Sequence, residues 1–165
     1  MDQLEIIRRT IEEHHKIRGN IRLIGEATND MEALFSLQQA EANWGQSSIQ
    51  SIVQNVDKLK QTIHRLSEGL KNHFALEEQW LPPVLGDNLA KALVLEHDEI
   101  RDKLVKCEAG FVNDISEFQR DKLLSYRTSV EQVIDDLIGL IEGHAGREDI
   151  VLSMIEKALS RERRQ

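Results

Sequence analysis

Residues 52–84 read IVQNVDKLKQTIHRLSEGLKNHFALEEQWLPPV, and one face of this segment decides the fold. Ile52, Val56, Leu59, Ile63, Leu66 and Leu70 recur in alternating steps of four and three residues, the inward stripe of a helix packed in a bundle. The stripe then runs through His73 and Glu77 to Trp80 and Val84. A second segment repeats the arrangement, with Val130, Ile134, Leu137 and Ile141 leading to His144 and Glu148, then Val151 and Ile155. His and Glu at i and i+4 of a helix point the same way, so both H-x-x-x-E pairs face a core. Burying a carboxylate beside an imidazole is costly unless the two are paired or coordinate a metal. Two such pairs in one core point to a metal site.

Working outward from these two helices, the rest of the chain reads as all-α. It has 165 residues, 2 prolines and 4% aromatics, which fits one domain over 1–165 with a single core. Helix A is expected over about 2–25, with Leu4, Ile7, Ile11, His14, Ile17 and Ile21 inward. Gly25, Thr28, Asn29 and Asp30 weaken it, and residues 31–40 read equally as a short helix or as its continuation. Asn43 to Gln46 reads as a loop, with Ser47 or Ser48 capping helix B, over about 48–81. Pro82-Pro83 ends or distorts helix B, and Gly86-Asp87 turns the chain into helix C, about 88–108. Gly110 to Ile115 is a loop before helix D, about 116–159, with Ser116 as its cap. Short connections imply antiparallel neighbours, hence an up-down-up-down four-helix bundle.

Charge and cysteine content narrow the function classes. A net charge of -8 argues against a nucleic-acid partner, whose phosphates demand a surplus of Lys and Arg. The basic end, Arg161, Arg163 and Arg164, is interrupted by Glu162 and suits a helix C-terminus. Cys107 is the only cysteine, so no intrachain disulfide forms and a reducing compartment fits. The first residues, MDQLE, lack the basic and apolar regions of a secretion signal, and no apolar run approaches the ~20 residues needed to span a bilayer. A cytoplasmic location without membrane contact is the expectation. No phosphate loop, dinucleotide fingerprint or hydrolytic triad is evident.

The chain also resembles itself. Glu13-His14-x-x-Ile17-Arg18 matches Glu96-His97-x-x-Ile100-Arg101 at a spacing of 83 residues. His73-x-x-x-Glu77-Glu78-x-x-Leu81 matches His144-x-x-x-Glu148-Asp149-x-x-Leu152. The register selects His14, not His15, as the partner of His97. His14, His73, Glu77, His97, His144 and Glu148 are therefore the candidate metal ligands. His64 also heads an H-x-x-x-E, but nine residues before His73 it faces the opposite side of the helix. Glu78, Asp149, Glu13 and Glu96 sit one position off the stripe and read as supporting or surface residues. Arg18 and Arg101 read as solvated charges, with a role near the site as the alternative, and Trp80 as packing at the edge of the site. Tyr126 lies five turns before His144, too distant to act on a metal.

Imidazole and carboxylate donors without thiolate suit iron or manganese and tolerate zinc. Six side chains do not saturate two metals, even with both carboxylates and a solvent oxygen bridging, so open positions remain. Such positions on a redox-capable pair suit dioxygen, peroxide or nitric oxide.

Together, H-F-x-x-E-E with L-P-P (His73 to Pro83), E-H-x-x-I-R (Glu96 to Arg101) and H-x-x-x-E (His144 to Glu148) resemble the hemerythrin-like, or HHE cation-binding, domain. The resemblance covers the chain from helix A to about Leu159. It implies a four-helix bundle holding two non-haem irons with an oxo or hydroxo bridge. His14, His73, His97 and His144 would be terminal ligands, with Glu77 and Glu148 bridging.

Oxygen-carrying members usually place a second histidine four residues after the third-helix histidine, where this chain has Arg101. Their fourth-helix carboxylate is typically an aspartate at longer spacing, where this chain has Glu148. Four histidines instead of five resemble the iron- and oxygen-responsive members, and some that handle peroxide or nitric oxide. The implied function is binding or sensing of dioxygen, nitric oxide or iron. The alternatives are a di-iron enzyme of peroxide or nitric oxide and a bundle whose metal only supports folding. A protein partner is not named by the sequence.

Overall fold

The computed structural model describes residues 2–40, 46–112, 115 and 117–162. Among these residues the chain forms helices α1 (Gln3–Ala40), α2 (Gln46–Trp80), α3 (Pro82–Leu85), α4 (Asp87–Gly110) and α5 (Arg120–Glu162), and no strand. The four long helices close a ring: α1 packs on α2 and α5, and α4 packs on the same two. The single-turn α3 lies against α2 and α4.

The α1 helix continues through the stretch expected to weaken it. Ile24 and Met31, seven residues apart on one face, are both buried, and Thr28 Oγ1 donates to the Ile24 carbonyl at 3.0 Å. Burial of that face outweighs the ~1 kcal/mol helix penalty of Gly25. The loop expected at Asn43–Gln46 falls largely on residues outside the described set, and Gln46 already belongs to α2. With α2 opening at Gln46, Ser47 and Ser48 lie within it, so neither precedes the helix as the expected cap. The expected cap Ser116 is also outside the described residues, and α5 opens at Arg120.

The Pro82-Pro83 pair works as its chemistry requires. Leu81 N still donates to Glu77 O at 2.9 Å, but Pro82 has no N–H to continue α2 and instead opens α3. Gly86 then adopts φ +76°, a left-handed conformation that penalises side-chain-bearing residues. From there its N–H reaches Pro82 O, and its carbonyl accepts from Ala90 N–H at 3.0 Å, starting α4.

Packing corrects one sequence expectation. Trp80 is 37% exposed, whereas its neighbour Leu81 is fully buried. Steps averaging 3.5 residues lag the 3.6-residue turn by about 20° per heptad, so four heptads after Ile52 the inward position has passed from Trp80 to Leu81. The other half behaves alike: Leu152 is buried, and Val151 and Ile155 are only partly so. Leu81 and Leu152 join Ile6, Ile7 and Leu93 in a small apolar cluster. A larger cluster, from Ile17 through Leu59, Ile63 and Leu137 to Ile141, fills the rest of the bundle. The inward histidines and glutamates belong to neither cluster. No described helix is long and apolar enough to cross a membrane.

Two outcomes follow from this packing. Leu137→Ala, at a site with no exposed surface, should lower unfolding free energy by about 2–5 kcal/mol in denaturant melts, whereas Leu95→Ala, 70% exposed, should change it by less than about 0.5. Cys107 is buried, and burial, aided by the charge of Glu108, pushes its thiol up to about 11. Alkylation at pH 8 should therefore be far slower in the folded protein than after denaturation.

Candidate metal centre

Each of the four long helices brings one imidazole inward: His14 from α1, His73 from α2, His97 from α4 and His144 from α5. Glu77 of α2 and Glu148 of α5 lie among them, and all six residues are at most 6% exposed. Glu77 Oε1 is 2.8 Å from His73 Nε2 and 3.3 Å from His14 Nε2, while Oε2 is 3.1 Å from His97 Nε2. Glu148 Oε2 lies 3.4 Å from His144 Nε2 and 3.5 Å from His14 Nε2. The donors fall into two groups that share Glu77: His14 and His73 on one side, His97 and His144 on the other.

None of these close approaches has hydrogen-bond alignment. The Nε2 atoms of all four histidines and both oxygens of both glutamates are buried without a hydrogen-bond partner. A buried polar group left unpaired costs about 1–3 kcal/mol, more if charged. Eight atoms that offer lone pairs once the imidazoles give up their Nε2 protons, converging in one pocket, are a donor set that fits metal cations.

The outer nitrogens are fully engaged. His14 Nδ1 is 2.6 Å from Asp149 Oδ1, His73 Nδ1 2.9 Å from Glu13 Oε2, His97 Nδ1 2.8 Å from Glu78 Oε1, and His144 Nδ1 2.9 Å from Glu96 Oε2. Each carboxylate also meets an arginine. Arg18 reaches Asp149 at 2.6 Å, Arg101 reaches Glu78 at 2.7 Å, Arg147 reaches Glu96 at 3.0 Å and Arg9 reaches Glu13 at 3.2 Å. The four off-stripe acids thus all contact the inward histidines, and Arg18 and Arg101 are not free solvated charges.

Electrostatics divides the inner groups. Burial opposes ionisation of Glu77, yet His14, His73 and His97 hold its carboxyl well below the usual range. Burial pushes Glu148 up, only partly offset by His14, and the charge of Glu77 adds to the rise. For His14, burial disfavours the imidazolium, but Glu148, Glu77 and Asp149 prevail and carry it up to about 10. Burial lowers His144, and Glu96 does not fully restore it.

Residues outside the set sort by geometry. His15 is exposed, and His64 faces solvent beside Glu108 at 3.3 Å. Tyr126 Oη accepts from Val112 N at 3.2 Å, away from the pocket. Phe74 was not singled out by the sequence pattern. It is fully buried and stacks on His97 at 4.0 Å between ring centres, with edge contact to His144 at 5.8 Å. Its signal was available, since on a helix buried by three neighbours the apolar face is wide enough to include the position next to His73.

The sequence matches a protein family, the Hemerythrin HHE cation binding domain, over residues 5–155. Searches of the curated proteins and of the solved structures each gave no significant match.

Glu148 separates a metal centre from a structural ion-pair network. Glu148→Leu should leave the stability of chelator-treated protein unchanged or raised, while abolishing the rise in Tm on adding Fe(II) or Zn(II). A loss of about 3–5 kcal/mol in the chelated protein would instead mark Glu148 as half of a buried pair that the fold needs.

Proposed function

The chain belongs to the Hemerythrin HHE cation binding domain family, and from that premise we propose that it is a non-haem di-iron protein that binds or senses dioxygen, nitric oxide or iron itself. The observation that carries this reading is the sharing of Glu77 between two groups of inward donors. His14 and His73 would serve one iron, His97 and His144 the other, with Glu77 and Glu148 between them. Neutral imidazole with carboxylate suits iron, and manganese or zinc would fit the same donors. An iron pair held there, with a solvent-derived oxo or hydroxo bridge, would supply open coordination positions and redox chemistry.

Arg101 supports a site with fewer protein ligands. It turns away from the inward donors to bond Glu78 and Asp98, so α4 offers the pocket one imidazole. Access is supported by a groove of about 200 Å³ between α4 and α5, whose lining runs from Leu89 and Val151 to His144 and Glu148. Its largely apolar wall suits a small uncharged ligand such as O2 or NO. The same groove would let a substrate exchange, which favours turnover of peroxide or nitric oxide as the second reading.

The up-down-up-down antiparallel topology belongs to this proposal. It is supported by pairs that run in opposite order along neighbouring helices: Arg8 with Glu156 and Arg18 with Asp149, Glu78 with His97 and His64 with Glu108, and Glu96 with His144 and Lys103 with Asp136. We also propose one domain over 1–165, acting in the cytoplasm on a small ligand and without nucleic acid or membrane as partner; a lone buried cysteine and a net charge of -8 support this.

Anaerobic loading with ferrous iron, followed by admission of oxygen, tests the reading. Two irons per chain should bind, and a visible absorption band should appear with oxygen and fade on its removal. Rapid irreversible oxidation would favour the enzymatic or iron-sensing form. No iron uptake would overturn the di-iron reading.

A further inference from the structure

The four contacts between histidines and outer carboxylates close a circuit around the bundle. His14 on α1 bonds Asp149 on α5, His144 on α5 bonds Glu96 on α4, His97 on α4 bonds Glu78 on α2, and His73 on α2 bonds Glu13 back on α1. Every link joins two different helices, and each helix gives one imidazole and receives one. Each carboxylate is also the chain neighbour of an inward donor: Glu13 precedes His14, Glu78 follows Glu77, Glu96 precedes His97 and Asp149 follows Glu148. A shift of any helix along its axis would therefore disturb its own inward donor and its neighbour's imidazole together.

A carboxylate only accepts, so Nδ1, which faces the outer carboxylate, carries hydrogen, and a cation that displaces any proton held on Nε2 meets that nitrogen's lone pair in the pocket. We propose that Glu13, Glu78, Glu96 and Asp149 form a head-to-tail ring of positioning residues that presets all four imidazoles for Nε2 ligation, and that Arg18 and Arg101 lock its two repeat-related corners. The proposal rests on the metal-centre reading above and assigns residues that act through the ligands.

The two arginines make the ring more than a set of separate contacts. Arg18 and Arg101 are 83 residues apart, the spacing of the internal repeat, and each lies four residues after its inward histidine. Each bonds the carboxylate that its own histidine bonds, and their side chains are about one-third exposed. Arg101 thereby has a task at the position where oxygen carriers place a fifth histidine: it secures Glu78 for His97 in place of entering the pocket. The other two corners are held by the more exposed Arg147 and Arg9, where solvent screens the pairs.

A charged acceptor on Nδ1 makes the imidazole a stronger donor and favours the more positive metal state. Replacing one carboxylate by its amide should therefore weaken metal binding and raise the iron reduction potential together. A residue that only braces the fold would lower Tm without moving the potential.

The test compares the wild-type chain with Glu78→Gln, Asp149→Asn, Arg101→Gln and Arg101→Lys, loaded with ferrous iron. Affinity, reduction potential and Tm are read on each. The two amide variants should each bind iron about 10–100-fold more weakly with a higher potential. Arg101→Gln should weaken binding by less, because Glu78 is held less firmly, without the rise in potential of the amide variants, and Arg101→Lys should recover part of the lost affinity. Should an amide variant not fold, the two Arg101 variants carry the comparison of affinity. Unchanged affinity and potential in variants of an iron-binding wild type would overturn the ring alone. A wild type that takes up no iron would overturn the ring together with the metal centre.

Discussion

Two glutamates and four histidines in the middle of an apolar bundle form the constraint on which the rest of the structure depends. Packing in such a core favours Leu and Ile, and each inward carboxylate there carries a desolvation penalty. Protein partners relieve only part of it. Every outer imidazole nitrogen is bonded, whereas every inner one, with all four carboxylate oxygens, lacks an aligned partner. Polarity satisfied outside and unsatisfied inside is the pattern of a ligand cage, in which a cation completes the set.

The bundle is organised around that layer. The large cluster around Leu59, Ile63 and Leu137 and the small one around Ile7, Leu81 and Leu152 are separate, and the six inward polar residues belong to neither. Leu70 and Ile141 directly precede His73 and His144 along the stripes, and Leu81 and Leu152 directly follow Glu77 and Glu148. Apolar packing on both sides, with Phe74 laid on His97, buries the inner donors. Core stability and site geometry are thus set by the same helices in the same register.

Much of this was legible in the sequence because helix periodicity is a geometric fact. A residue on the stripe of Ile63, Leu66 and Leu70 points inward whatever its chemistry, so the burial of His73 and Glu77 followed, and the repeat separated His14 from His15. Departures arose where periodicity has no purchase. The stripe did not distinguish Trp80 from Leu81, because i+3 and i+4 are both allowed steps until packing selects one. The persistence of α1 through Gly25 depended on tertiary burial of Ile24 and Met31, which outweighs local propensity. The roles of Glu13, Glu78, Glu96 and Asp149 were only half legible, since each needs a partner on another helix. Arg9 gave only an i,i+4 spacing to Glu13, common on helix surfaces, and Arg147, whose partner lies on another helix, gave no sequence signal.

The central claim is that Glu77 sits between two metal positions served by His14 with His73 and by His97 with His144. An anomalous difference map from crystals of the iron-loaded protein, collected at the iron absorption edge, tests it most directly. The account predicts two peaks flanking the Glu77 carboxylate, separated by roughly the 3.5–4 Å usual for paired metals. A single peak, or peaks remote from Glu77, would contradict it.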